Sequence, residues 1–193
     1  MADIRPRKRA AQSRSRATVA AIGEAAARIL AERGLPAVTT NAVAERAGIS
    51  VGSLYQYYPN REAILVDLLR SKLTTLLAEV RAAADDPSFD AAVRAMLAAL
   101  SRAYLERPAL AAALAYVETI IGGDDEIAVL RRGLGRAVAR FLAAHGVAHP
   151  DVAARDVAAL TRGMAMAAGL AGETDRDALL DRMERAVRGY LSL

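Results

Sequence analysis

Between Asn60 and Ala84 an apolar side chain returns every three or four positions. Ile64, Leu65, Leu68, Leu69, Leu73, Leu76, Leu77 and Val80 form one unbroken stripe. Strand side chains alternate with a period of two, whereas a helix gathers all of these onto one face, so the pattern commits this stretch to a single long helix. The surrounding chain must cover that stripe along its whole length. Alanine and leucine dominate a sequence that is 54% hydrophobic and only 4% aromatic. Scarce β-branched and aromatic residues favour helix elsewhere too, and the fold class is predicted to be all-α.

A first helix is expected from Ser15 to Arg33, with Val19, Ile22, Ala26, Ile29 and Leu30 on one face and Gly34 as its stop. Thr39 and Thr40 offer an N-cap for a short second helix ending at Ala47, before Gly48. Ser50 caps a third helix expected to run through Tyr58, with Leu54 and Tyr58 inward and Pro59 as its end. Asn60 caps the fourth helix, with Glu62 in its first turn. After DDPSFD, further helices are predicted at 88–106, 108–121, 125–145, 150–171 and 175–191, punctuated by Pro108, Gly122, Gly123, Gly146, Pro150, Gly172 and Asp175. Three short helices before a long connector imply two domains. Residues 1–60 form a small N-terminal domain with a basic tail, and residues 61–193 a larger helical domain joined to it by the long helix.

Charge divides along the same boundary. Residues 1–60 carry nine Lys or Arg against four Asp or Glu, and residues 61–193 seventeen against eighteen. A basic end separated from a neutral remainder points to a polyanion partner. There is no cysteine, which removes disulfides and thiolate metal sites and fits a cytoplasmic location. The apolar patches, such as Leu110 to Val117, are far shorter than a membrane span, and the basic N-terminus has no apolar run behind it. No membrane association and no secretory signal are expected.

A two-turn helix, a tight turn at Gly48 and a second short helix is the sequence form of a helix-turn-helix, whose second helix enters the DNA major groove. The outward positions of that helix are Val51, Gly52, Ser53, Tyr55, Gln56 and Tyr57, none of them acidic. Small residues at its start allow close approach to base edges, and its hydroxyls and amide can donate to phosphates or bases. The segment TTNAVAERAGISVGSLYQYYPNREAIL resembles the DNA-binding signature of the TetR family of bacterial transcriptional regulators: Thr40, Ala47-Gly48, Gly52-Ser53, Leu54-Tyr55, Tyr57-Tyr58 and Arg61 fall at its positions. The resemblance covers about residues 15 to 68. It implies backbone contacts from Thr40, Tyr55, Tyr57 and Arg61, and base readout from Asn41, Val51, Gly52, Ser53 and Gln56. Two residues depart from the pattern. Tyr58 stands where the family has Phe, so its hydroxyl must find a partner, and Arg61 replaces Lys with a planar fork.

The remaining two thirds of the chain resemble the family only in being helical and of suitable length. Its residues point to an apolar ligand site where a carboxylate interrupts the run LAAALAYVETII. Glu118 is costly there unless paired or bound, and Met96, Leu100, Tyr104, Tyr116, Thr119 and Phe141 are expected to line the same space. A cationic effector anchored by Glu118 is one expectation, and an ion pair between Glu118 and Arg102 the bland alternative. The family reading further implies that the last two helices form a two-fold interface, through Met164, Ala165, Ala168, Leu180, Met183 and Val187, and the alternative for the methionine-bearing helix is an internal core helix.

Other constellations are weaker. His145 and His149 have ligand spacing, but Gly146 and Pro150 break the helix such a pair needs. The carboxylates of GGDDE at 122–126 read as a helix cap. RRGLGR at 131–136 lacks the preceding strand and third glycine of a dinucleotide fingerprint, and no nucleophile motif such as G-x-S-x-G occurs. No metal, no cofactor and no enzymatic activity are expected. The expected function is that of a homodimeric repressor that binds a palindromic operator in double-stranded DNA and is released by a small-molecule effector. Two other classes fit the same composition: an architectural nucleic-acid-binding module without a ligand, and a helical enzyme or binding protein with an incidental basic tail. Sequence preference retained at raised salt excludes the first, and the absence of turnover the second.

Overall fold

The computed structural model describes residues 13–121 and 125–192. The basic tail at 1–12 and the Gly122-Gly123 punctuation lie outside these. The described residues form nine α-helices: α1 (Ser13–Arg33), α2 (Thr40–Ala47), α3 (Val51–Tyr55), α4 (Arg61–Ala84), α5 (Phe89–Leu105), α6 (Pro108–Ile121), α7 (Asp125–Ala144), α8 (Pro150–Leu170) and α9 (Arg176–Leu191). A 3-10 turn, Leu35–Ala37, joins α1 to α2, and there is no strand among the described residues. The fold is all-α, as the periodicity requires. No helix among the described residues is long and apolar enough to cross a membrane.

The helix ends follow local chemistry. Thr39 Oγ1 accepts the Ala42 N–H at 3.1 Å, Ser50 Oγ the Ser53 N–H at 3.1 Å, and Asn60 Oδ1 the Ala63 N–H at 2.9 Å. At the end of α2, Gly48 adopts φ 68°. There the Ile49 N–H reaches the Ala44 carbonyl while the Gly48 N–H reaches that of Glu45. This pair of bonds is a Schellman motif, which needs a left-handed residue and so a glycine. The third helix is shorter than its apolar spacing predicts, ending at Tyr55 rather than Tyr58. The residue before a proline is disfavoured in the α region, and Pro59 lacks the N–H that would continue the ladder. The chain instead closes on the Leu54 carbonyl, which accepts from the N–H groups of both Tyr57 and Tyr58.

Two compact units divide the chain, Met1–Ser71 with Ala112–Gly122, and Lys72–Ala111 with Gly123–Leu193. The division falls inside α4, later than the 60/61 boundary drawn from sequence, because the first turns of α4 belong to the small N-terminal core. Ile22, Ile29, Leu30, Val43, Leu54 and Tyr58 are buried in this unit together with Ala63, Ile64, Leu65 and Val66 of α4. An additional methyl group at Gly23 would meet Leu68 at 3.6 Å, so α1 and α4 are in close contact there.

In the second unit α5 packs against both α8 and α9, and α8 against α7 and α9. One apolar cluster joins Leu97 and Tyr104 of α5 to Ala165 and Ala168 of α8 and Leu179, Leu180, Met183 and Val187 of α9. A second joins Ala92 to Phe141, Leu142, Ala153 and Ala154, and a third joins Leu76, Leu77 and Val80 of α4 to Ala99 and Ala137. A side chain at Gly169 would meet the Tyr104 carbonyl oxygen at 3.3 Å and Pro108 at 3.4 Å, so a glycine is what lets α8 approach the α5–α6 connection. Exposed ion pairs, Arg94 with Glu184 at 2.7 Å and Arg188 with Asp90 at 2.5 Å, line the α5–α9 seam and add little to what the apolar contacts supply.

The unusual Tyr58 finds its partner within the first unit. Its ring is buried and its hydroxyl donates to Asp67 Oδ2 at 2.5 Å, while Arg70 pairs with the other carboxylate oxygen. Burial, and then the carboxylate beside it, push the phenol well above the ordinary tyrosine range. A group whose pKa is raised on folding contributes stability below its unfolded pKa and loses it as pH rises beyond that value. Tyr58→Phe is expected to cost about 1 kcal/mol in urea unfolding near neutral pH, and Asp67→Ala more, about 1 to 3 kcal/mol, because it strands a buried hydroxyl. Above about pH 10 the wild type should lose stability with a steepness that Tyr58→Phe lacks.

Candidate nucleic-acid interface and ligand cavity

The nine residues assigned to DNA all lie in the first unit, on α2, on α3, in the turn just after it (Gln56 and Tyr57) and at the start of α4. Asn41, Gly52, Tyr55, Gln56 and Arg61 are exposed, and Thr40, Val51, Ser53 and Tyr57 are half-buried. Leu54 is the inward residue of α3, fully buried, so the helix is anchored from one side and presents the other. Thr40 Oγ1 lies 3.2 Å from the Tyr55 hydroxyl, which ties the first residue of α2 to the last of α3. Ser53 Oγ sits 2.8 Å from Ser50 Oγ, so the Ser53 hydroxyl shares a bond with the cap of its own helix. Arg61 pairs with Glu62 at 2.8 Å, both well exposed, an association weak enough for a phosphate to displace.

Sequence spacing gave no sign of one brace behind this surface. Arg46 of α2 makes a two-pronged bond to Glu32 of α1, at 2.6 and 2.7 Å. The hydrogen bond from Arg46 holds the Glu32 carboxylate below its ordinary range. These residues lie on different helices with Gly34 between them, where no helical period carries across, so only the packing of α1 on α2 reveals the pair.

The second unit contains a cavity of about 590 Å³, within the range of small-molecule sites. Met96, Leu100, Tyr104 and Phe141 line it, as expected. Tyr116, Glu118 and Thr119 do not: they belong to the other unit, Tyr116 is 58% exposed, and the Thr119 hydroxyl donates to the Tyr116 carbonyl at 2.7 Å. The buried positions of α6 are Ala111, Leu114 and Val117, and the phase they set turns Tyr116 away from the buried face. Arg102, the suggested partner of Glu118, pairs with Glu79 at 3.0 Å. The walls come instead from α4, α5, α7 and α8, and the α7 and α8 walls bring arginines that the apolar pattern had not singled out.

The interface residues assigned to α8 and α9 are also corrected. Ala165, Ala168, Leu180, Met183 and Val187 are buried in the second unit's own core, and Met164 packs against that core half-buried. α8 is apolar on more than one side, α9 has a single apolar stripe, and the stripes read as a partner surface are the ones that face α5 and each other within the unit. What α8 leaves exposed is a different line, Val152, Leu160, Gly163, Ala167 and Leu170, the last of these 70% exposed.

His145 and His149 fall in the connection between α7 and α8, not on one helical face. The His145 ring nitrogen Nδ1 lies 2.9 Å from the Phe141 carbonyl, and the ring packs on Phe141 with centroids 4.4 Å apart. Among the described residues no group of three or more ligating side chains is arranged to hold a metal ion.

Comparison with known proteins agrees with this geometry. Residues 22–68 match the model of the bacterial regulatory proteins of the tetR family, and residues 88–191 match that of the tetracyclin repressor-like C-terminal domain. The HTH-type transcriptional repressor KstR2 of Mycobacterium tuberculosis is 45% identical over 58 residues, 30% of this chain and 29% of that protein, so the likeness spans under a third of the relative's length. Among solved structures, the fatty acid degradation regulator FadR from Bacillus halodurans superposes with a TM-score of 0.75 at 15% identity, covering 88% of this chain and 94% of the other. SCO4454, a TetR-family transcriptional regulator from Streptomyces coelicolor, superposes with a TM-score of 0.73 at 22% identity, covering 91% and 89%. At such identities the likeness is one of fold. With a DNA-binding signature folded as a helix-turn-helix and both family models matched in order along its length, the chain belongs to the tetR family of bacterial transcriptional regulators.

Proposed function

We propose that the protein is a ligand-responsive repressor that binds a palindromic operator as a homodimer through α2 and α3 and is released by a small molecule held in the second unit. The observation that carries this reading is the dual membership of α4. One continuous helix bears Arg61 at its start and Leu73, Leu76 and Val80 in the cavity wall. A ligand that repacks the wall residues acts on the same continuous helix that carries a DNA contact, and differential affinity for two arrangements of that helix is all a population shift requires.

Within the interface, Tyr55, Tyr57, Arg61 and Thr40 are assigned to phosphates, and Asn41, Val51, Gly52, Ser53 and Gln56 to base edges. Selection of bound DNA from a random pool tests the reading. A palindromic consensus supports it, and affinity without sequence preference would leave an architectural protein in its place. On the selected operator, Tyr55→Phe and Arg61→Ala should weaken specific and random DNA by similar factors, because phosphates carry no sequence information. Val51→Gln should instead redirect the selection, by about 1 to 3 kcal/mol of discrimination at one base pair.

For the dimer we assign the exposed line on α8, which places small and apolar residues at spacings of three, four or eight along one helical face. Gly163 has no heavy atom within 4 Å of where its Cβ would stand, so a larger side chain there disturbs nothing within the protomer. Gly163→Glu is expected to give helical monomers in sedimentation, with lost affinity for the full palindrome. Ala168→Glu, which buries a charge in the core, should lower thermal stability by several degrees or prevent folding. A stable dimer of the Gly163→Glu variant would remove α8 from the interface.

A further inference from the structure

The walls of the cavity are chemically divided. From α4 and α5 come Leu73, Leu76, Val80, Met96, Leu100 and other apolar side chains, and the Tyr104 hydroxyl is the only polar side-chain group on that side. Every charged residue that lines the cavity is on α7 or α8, and five of these six are arginines: Arg131, Arg132, Arg136, Arg155 and Arg162, against the single carboxylate of Asp151. Arg132, Arg136 and Arg162 are exposed at the cavity edge and have no carboxylate partner among the described residues. Among the described residues Arg155 pairs with its neighbour Asp156, at 3.2 Å. Lys72 adds a further cation in this unit, its Nζ 4.1 Å from the centre of the Tyr104 ring.

An uncharged ligand has no use for such a concentration of guanidinium groups, and a cationic one would be repelled by it. The planar donors of arginine suit carboxylate and phosphate oxygens, and they act most strongly where an apolar wall excludes water. We infer that the cavity takes an amphiphilic anion, its apolar body against α4 and α5 and its anionic oxygens among the arginines of α7 and α8. This rests on the reading of the cavity as the effector site, and it reverses the sign that Glu118 suggested. The head group is either a carboxylate on the ligand itself or the phosphates of a carrier joined to it.

Calorimetric titration of the full-length protein with four probes separates the possibilities: dodecanoate, dodecanoyl coenzyme A, methyl dodecanoate and dodecyltrimethylammonium, each below its micelle concentration. At least one of the two anions should bind about tenfold or more tightly than the neutral ester, and the cation should bind more weakly than either. Tight binding of dodecanoate identifies a carboxylate head, and binding of the thioester alone a phosphorylated carrier. The double variant Arg132→Gln, Arg162→Gln alters only exposed side chains, with folding checked by circular dichroism, and it should erase most of the preference for the anion over the ester. Equal affinity for ester and anions, or tighter binding of the cation, would overturn the charge assignment and leave the cavity as a neutral or cation site. Binding of none of the four would overturn both inferences at once.

Discussion

One face of α4 must be buried along its entire length, and the molecule is built around satisfying that demand twice. The early positions of the stripe, Ala63 to Leu69, are enclosed in the first unit, and the later ones, Leu73 to Val80, in the second. Each core is small by itself. Sharing a helix lets the two draw on one nucleation event, and nucleation is the costly step in helix formation. A break in α4 would therefore deprive both units of part of their core.

The same economy is visible at α3. A helix of five residues has no stability in isolation. It persists because Leu54 is fully buried, Ser50 caps its start, and the turn before it is fixed by the left-handed Gly48. The outward face is relieved of structural duty by these three anchors. Residues such as Gly52 on the helix and Gln56 just after it, which contribute little to a core, can occupy it without cost to the fold.

Most helix boundaries were legible because their signals are local: a hydroxyl or amide before the first turn, a glycine or proline after the last. α3 was overextended because Leu54 and Tyr58 share a helical phase even though Pro59 forbids that helix from reaching Tyr58. The helix-turn-helix was legible because its signature is contiguous. Neither the cavity nor the exposed line of α8 could be read the same way. A helix apolar on two sides, such as α8 with Ala165 and Ala168 on one and Gly163 and Ala167 on another, does not say which side its own chain will cover. Arg131, Arg132 and Arg136 of α7 share the cavity with Arg155 and Arg162 of α8, and a relation between two helices has no period to betray it.

The first unit is not contiguous in sequence. It takes up the chain through Ser71, releases it for Lys72–Ala111, and reclaims Ala112–Gly122, which includes all of α6 after its first turn, where Leu114 and Val117 are buried. Modular exchange at the end of the helix-turn-helix would therefore join the wrong pieces. A chimaera that grafts this helix-turn-helix onto another helical domain at residue 60 leaves behind the first turns of α4 and a segment of α6 encoded forty residues beyond the division in α4. The boundary between the units is a three-dimensional one, and the chain crosses it more than once.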